Sequence, residues 1–111
     1  MDKKSQLNRI KDDFINSQKV LQAIGDETRQ SILLVLMATD CQTGLRVGEI
    51  TEQTHLSRPA VSHHLKILQE AGVILRRKEG TMNFYFINIR SKIGLLKNLV
   101  TDIDKFLEDF Y

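Results

Sequence analysis

The sequence is poor in cysteine, proline and tryptophan, with one, one and none among 111 residues. A single cysteine, Cys41, excludes a disulfide within the chain and fits a reducing cytoplasm. Cys41 lies in a polar stretch without activating neighbours and reads as an ordinary thiol. No run approaches the roughly 18 apolar residues of a membrane-spanning helix, so no membrane partner is expected. The first residues, Met1-Asp2-Lys3-Lys4-Ser5-Gln6, have no apolar signal core, and secretion is not expected. There is no glycine-rich phosphate loop, no cluster of metal ligands and no nucleophile paired with a base. An enzyme, a cofactor and a metal site are therefore not expected. With no Gly/Ser-rich linker and only Pro59, residues 1–111 read as one domain.

What is present is ordinary for a folded chain: 41% hydrophobic and 27% charged residues, which excludes disorder. The net charge of +2 is too small to point to nucleic acid by itself. Its distribution says more. Residues 55–92 carry seven basic and two acidic side chains, whereas the segments on either side are net acidic. One basic block suits a surface that faces a polyanion. It also suits a solvated face with no partner.

Leu7, Ile10, Phe14, Leu21 and Ile24 follow helical spacing, with Ser17 at the missing step, and predict a helix over 5–24. Asn16-Ser17 resembles a cap and leaves room for a break within 16–19. Asp26 is a good N-cap for a helix over 27–39, with Ile32, Leu33, Val35 and Leu36 on its apolar face. Residues 40–46 read as a polar loop, and residues 47–53 as a short helix. Ser57 caps a longer helix that runs to about Ala71, with Pro59 in its first turn and Gly72 as a left-handed stop. Residues 73–78 and 82–89, rich in Val, Ile, Phe and Tyr, read as strands joined by Glu79-Gly80-Thr81. A last helix fills 91–110. The fold class is thus mainly α with a β-hairpin, in the order α-α-α-α-β-β-α.

A short helix, a tight turn and a longer capped helix make a helix-turn-helix over 47–71. The second helix buries Val61, Leu65 and Leu68 and shows Arg58, Ser62, His63 and Lys66 on the opposite face. Small, polar and basic side chains near a helix N-terminus suit base edges and phosphates in a major groove. His63 is read as a DNA contact, His64 as a partly buried packing or hydrogen-bonding residue, and His55 as exposed. The hairpin follows at once, with Arg76-Arg77-Lys78 leading to its tip and Gly80 permitting a tight turn. A basic ribbon beside such a helix is what a DNA-binding wing requires. The candidate DNA-binding residues are Ser57, Arg58, Pro59, Ser62, His63, Lys66, Arg76, Arg77, Lys78, Gly80, Thr81 and Asn83.

Here a family resemblance enters. The run from Leu21 to Leu33, with Gly25-Asp26-Glu27-Thr28-Arg29 at its centre, resembles the opening of the ArsR/SmtB family of repressors. Val47-Gly48-Glu49-Ile50, then Leu56-Ser57-Arg58-Pro59-Ala60-Val61-Ser62-His63-His64-Leu65-Lys66, are similar to that family's two helix-turn-helix segments. Gln69-Glu70-Ala71-Gly72-Val73-Ile74, Arg77-Lys78-Glu79-Gly80 and Phe84-Tyr85-Phe86-Ile87 continue the likeness through the wing. It covers about residues 19–90. It implies a winged-helix homodimer that binds an inverted-repeat operator in double-stranded DNA, usually represses, and leaves the DNA when an inducer binds.

In the last helix Ile93, Leu96, Val100, Ile103, Leu107 and Phe110 alternate steps of three and four, a heptad seam. Such a seam either packs on its own domain or meets a second copy. The resemblance implies the second, with Leu7, Ile10 and Phe14 of the first helix packed across it. The acidic residues Asp102, Asp104, Glu108 and Asp109 read as a solvated face. The family's thiolate site requires Cys-x-Cys at the start of the first helix of the helix-turn-helix. Arg46 and Gly48 stand there. Its terminal-helix site needs histidines, and this last helix has none. A two-cysteine switch fails for want of a second cysteine. An inducer, if there is one, is an organic ligand or a protein. The alternative function is a winged-helix module that binds protein instead of DNA. The intact Arg58, Ser62, His63, Lys66 and the Arg76-Arg77-Lys78 run favour DNA.

Overall fold

The Asp2 carboxylate accepts the Ser5 N–H at 2.7 Å, so the first helix starts earlier than its apolar pattern suggests. In the computed structural model, which describes residues 1–40 and 42–111, this helix, α1, spans Lys3–Ile24 without a break. Ser17, where a break was conceivable, is fully buried, and its hydroxyl donates to the Leu95 carbonyl at 3.3 Å. Asp26 then caps α2 (Glu27–Met37) by accepting the Arg29 N–H at 2.9 Å. That bond holds the Asp26 carboxyl below its ordinary range.

The remaining elements are α3 (Val47–Thr54), α4 (Arg58–Glu70), β1 (Ile74–Glu79), β2 (Met82–Ile87) and α5 (Arg90–Phe110). The element order is the expected one, and Cys41 lies outside the described residues. The segment 40–46 is not wholly a polar loop. Leu45 is buried, and it exchanges two 2.8 Å backbone hydrogen bonds with Tyr85, adding a one-residue bridge beside β2.

Gly72 (φ +76°) ends α4 in a Schellman arrangement: the Gly72 N–H donates to Gln69 O at 3.0 Å and the Val73 N–H to Leu68 O at 3.1 Å. Val73 is thereby committed to the cap, and β1 begins one residue later than expected. The strands pair antiparallel from Ile74↔Ile87 to Glu79↔Met82. The turn is therefore only Gly80-Thr81, and Gly80 (φ +61°) takes its first position.

One core joins α2, α3, α4 and the base of the hairpin. Ile32, Ile50, Val61, Leu65, Leu68 and Ile74 are essentially closed to solvent there. Helices α1 and α5 lie antiparallel beside it, as the pairs Ser17–Leu95 and Gln6–Asp109 require. They extend beyond the core, and the molecule measures 54 × 24 × 20 Å. Its radius of gyration is 17.1 Å, whereas a compact chain of this length has about 13 Å.

Candidate nucleic-acid interface

Helix α4 is built to present one face. The Ser57 hydroxyl accepts the Ala60 N–H at 3.2 Å, and Pro59 sits in the first turn, where no backbone donor is needed. Val61, Leu65 and Leu68 anchor the inner side. Arg58, Ser62 and Lys66, four residues apart, form an exposed stripe, with Pro59 and His63 also exposed beside it. The turn that aims this helix runs through His55 in the left-handed region (φ 60°), its N–H bonded to Thr51 O at 2.9 Å. His55 is exposed, as expected.

His64 is half-buried and hydrogen-bonded, in line with the sequence reading. Its partner, Arg29, was not anticipated. The Arg29 guanidinium donates to Ala23 O at 2.7 Å and Gln22 O at 3.0 Å, and lies 3.3 Å from His64 Nδ1. Arginine cannot accept, so Nδ1 accepts and a neutral ring carries its proton on Nε2. One side chain thus joins the end of α1 to α4. The available signal was its place three residues after the Asp26 cap.

The hairpin corrects the reading of the basic run. Strand alternation sends Arg76 and Lys78 to the face shared with Asn83 and Tyr85, and Arg77 to the other. Arg76 and Lys78 are exposed, as are Gly80 and Thr81 at the tip. Arg77 is not a free cation. Its guanidinium donates to Gln42 O at 2.8 Å, Thr43 O at 3.0 Å and Glu79 Oε1 at 3.0 Å, and lies over the Phe84 and Phe86 rings. Arg77 clamps the wing to the loop before α3. Asn83 is half-buried and lines a cleft with Arg58, Thr81 and Arg46.

The terminal helices meet through a stripe that is only partly apolar. Ile10, Val20 and Leu99 are buried, but so are Gln6 and Ser17. The Gln6 amide donates to Asp109 at 2.8 Å, and the Asp13 carboxyl faces that of Asp102, with its Oδ2 buried. Hydrogen bonding to Asp102 in the protonated form, with burial and repulsion from Asp102, pushes the Asp13 carboxyl up to about 6. Asp102 and Asp109 therefore face α1 and are not simply part of a solvated face. Ile10 also departs from expectation, because it packs within its own chain. Leu7, Phe14 and Leu21, about 20° to 60° round α1 from Ile10, stay exposed, as do Val100, Leu107 and Phe110. Ile93, Leu96 and Ile103 are half-buried. The heptad stripe of α5 is thus only partly covered, and at its end the Lys3 ammonium of α1 lies 6.0 Å from the centre of the Phe110 ring.

Residues 26–75 match the family model described as bacterial regulatory protein, arsR family. The transcriptional repressor SdpR of Bacillus subtilis is 34% identical over 91 residues, covering 79% of this chain and 97% of SdpR. This chain belongs to the ArsR family of transcriptional regulators. The transcriptional activator HlyU of Vibrio cholerae is also 34% identical, over 72% of this chain and 73% of HlyU. The solved HlyU structure superposes with a TM-score of 0.61 at 29% identity, over 77% of this chain and 88% of that one. An ArsR-like regulator from Rhodococcus sp. RHA1 shares the fold, with a TM-score of 0.68 over 86% and 90% of the two chains, at 23% identity. No helix among the described residues is long and apolar enough to cross a membrane.

This ArsR-family chain does not fit a soft metal at the start of α3. Arg46 and Gly48 stand where two thiolates would be needed, and neither can ligate such an ion.

Proposed function

We propose that this ArsR-family regulator is a homodimer that binds an inverted repeat in double-stranded DNA and represses transcription in the cytoplasm. The observation that carries the reading is the exposed stripe Arg58–Ser62–Lys66, with His63 beside it, on a capped helix flanked by Arg76 and Lys78. A base-reading helix needs small and hydrogen-bonding side chains near its N-terminus, and the ribbon needs free cations for phosphates. Ser57 supports the stripe from the cap, Pro59 from the first turn and Gly80 from the wing tip. The exposed apolar stripe of Leu7, Phe14, Val100, Leu107 and Phe110, bordered by the half-buried Ile93, Leu96 and Ile103, supports pairing through the terminal helices. Ile10 supports it from beneath, by holding α1 on α5. One binding unit spans the whole chain, and any effector is a small organic molecule or a protein.

Selection of bound duplexes from a random pool tests this. The expected result is an inverted repeat whose half-sites lie about 10–10.5 base pairs apart, centre to centre, or a multiple of that. A pool with no enriched sequence would overturn the reading.

A further inference from the structure

The cleft between the wing tip and the helix starts has a use that the recognition helix alone does not supply. It has a volume of about 600 Å³ and is lined by Arg46, Glu49, Glu52, Arg58, Thr81 and Asn83, with Gly48 in its floor. Arg46 caps α3 and Arg58 opens α4, so two guanidinium groups come from separate helices to one opening. The Arg58 guanidinium reaches back over Gly48, at 3.8 Å from the position of a Cβ there. Two carboxylates share the lining. Glu49 is committed to the Arg46 backbone N–H at 3.0 Å. Among the described residues, the ion pairs within 4 Å are Arg77–Glu79 and Lys105–Asp109, so neither Arg46 nor Arg58 has an acidic partner. On the wing side, Thr81 supplies a hydroxyl donor. The Asn83 Oδ1 is buried without a partner, leaving a bond that an arginine drawn inward would complete.

We propose that Arg46, with Arg58 and Thr81, seats one phosphate of the DNA backbone between α3 and the wing, with Asn83 Oδ1 accepting from a guanidinium. The inference rests on the DNA-binding reading above. It gives the outer phosphate contact to Arg46, whereas Arg77 is held by the carbonyls of Gln42 and Thr43 and lies outside the cleft lining. A seated phosphate fixes how deeply α4 enters the groove and carries no sequence information.

The test is the slope of log affinity against log salt for the wild type, Arg46→Gln and Arg77→Gln, each on a selected and a random duplex. Arg46→Gln removes one contact from each of the two subunits and is expected to reduce the magnitude of the slope by about 1.8. It should weaken both duplexes by the same factor and leave their ratio unchanged. Arg77→Gln is expected to leave the slope unchanged, because its guanidinium is held by protein carbonyls. Binding with the wild-type slope in Arg46→Gln would overturn the seat and leave the DNA-binding reading standing. Failure of the wild type to bind any duplex would overturn both. Free phosphate carries the same oxyanion chemistry, so the assay is repeated with inorganic phosphate replacing chloride at equal ionic strength. An extra loss in the wild type that Arg46→Gln lacks means free phosphate also enters the seat. Equal losses mean that only the DNA backbone fills it.

Discussion

The helix-turn-helix core and the terminal arm are both helical, yet they are held together differently. In the core, Ile32, Ile50, Leu65 and Leu68 are closed off by apolar neighbours from the same chain. In the arm, α1 and α5 meet through Gln6–Asp109, Asp13–Asp102 and Ser17–Leu95, while Leu7, Phe14, Val100 and Leu107 face water. Apolar packing gives the core its stability. In the arm, polar layers set the register of two helices, because a slip would strand buried polar groups. The apolar surface that would stabilise the arm is turned outward, and the proposed second copy would cover it. The core is complete within one chain, whereas the arm is complete only in the proposed pair.

The comparison predicts separable failures. Leu65→Ala, at a site 1% exposed, is expected to cost about 3 kcal/mol of folding stability. Urea unfolding would measure it, and a loss below 1 kcal/mol would mean that the core is not packed as described. Val100→Glu, on the exposed stripe, should leave the helical signal intact and weaken self-association about a hundredfold or more, through burial of an unpaired charge at the seam. Sedimentation equilibrium would read this, and a wild-type dimer constant would remove the seam.

Asp13 offers a smaller, pH-dependent lever. Its folded-state carboxyl is raised from 3.8 to about 6, so the folded chain holds a proton that the unfolded chain releases between those values. Stability from this pair is complete below about pH 4 and is lost as pH rises through 6. Asp13→Asn should raise the thermal midpoint near pH 7 by a few degrees and change it little near pH 4. An equal change at both would show that Asp13 does not hold that proton. The smallest effect belongs to the core side: His55→Gly relieves a left-handed residue and should stabilise by about 0.5 kcal/mol in urea. A loss of stability there would mean that the imidazole makes contacts worth more than the strain.

The same division explains what the sequence made legible. The recognition helix was readable because Ser57, Pro59 and Gly72 are local signals whose effect does not depend on distant residues. Element order and the hairpin were readable for the same reason. Arg77 was not, because its destination lies some 35 positions away in the backbone of Gln42 and Thr43, and only strand alternation separates it from Arg76 and Lys78. The arm misled on individual residues. Leu7 and Phe14 share helical spacing with Ile10, yet a small rotation places Ile10 against α5 and leaves the other two outside. Gln6 and Asp102 look like surface residues until α5 folds back over α1. Arg46 and Arg29 carry no local pattern, and each acquires its setting from elements brought together by the fold.

The central claim is that two chains, clasped through these arms, present paired basic faces to one duplex. Its most direct measure is the mass of the complex formed with a duplex of about 30 base pairs in dilute salt, by sedimentation velocity, as chain is added. The account predicts a step straight to two chains per duplex, lost in Val100→Glu at the same concentration. Saturation at one chain per duplex would contradict it, as would a free duplex at every concentration.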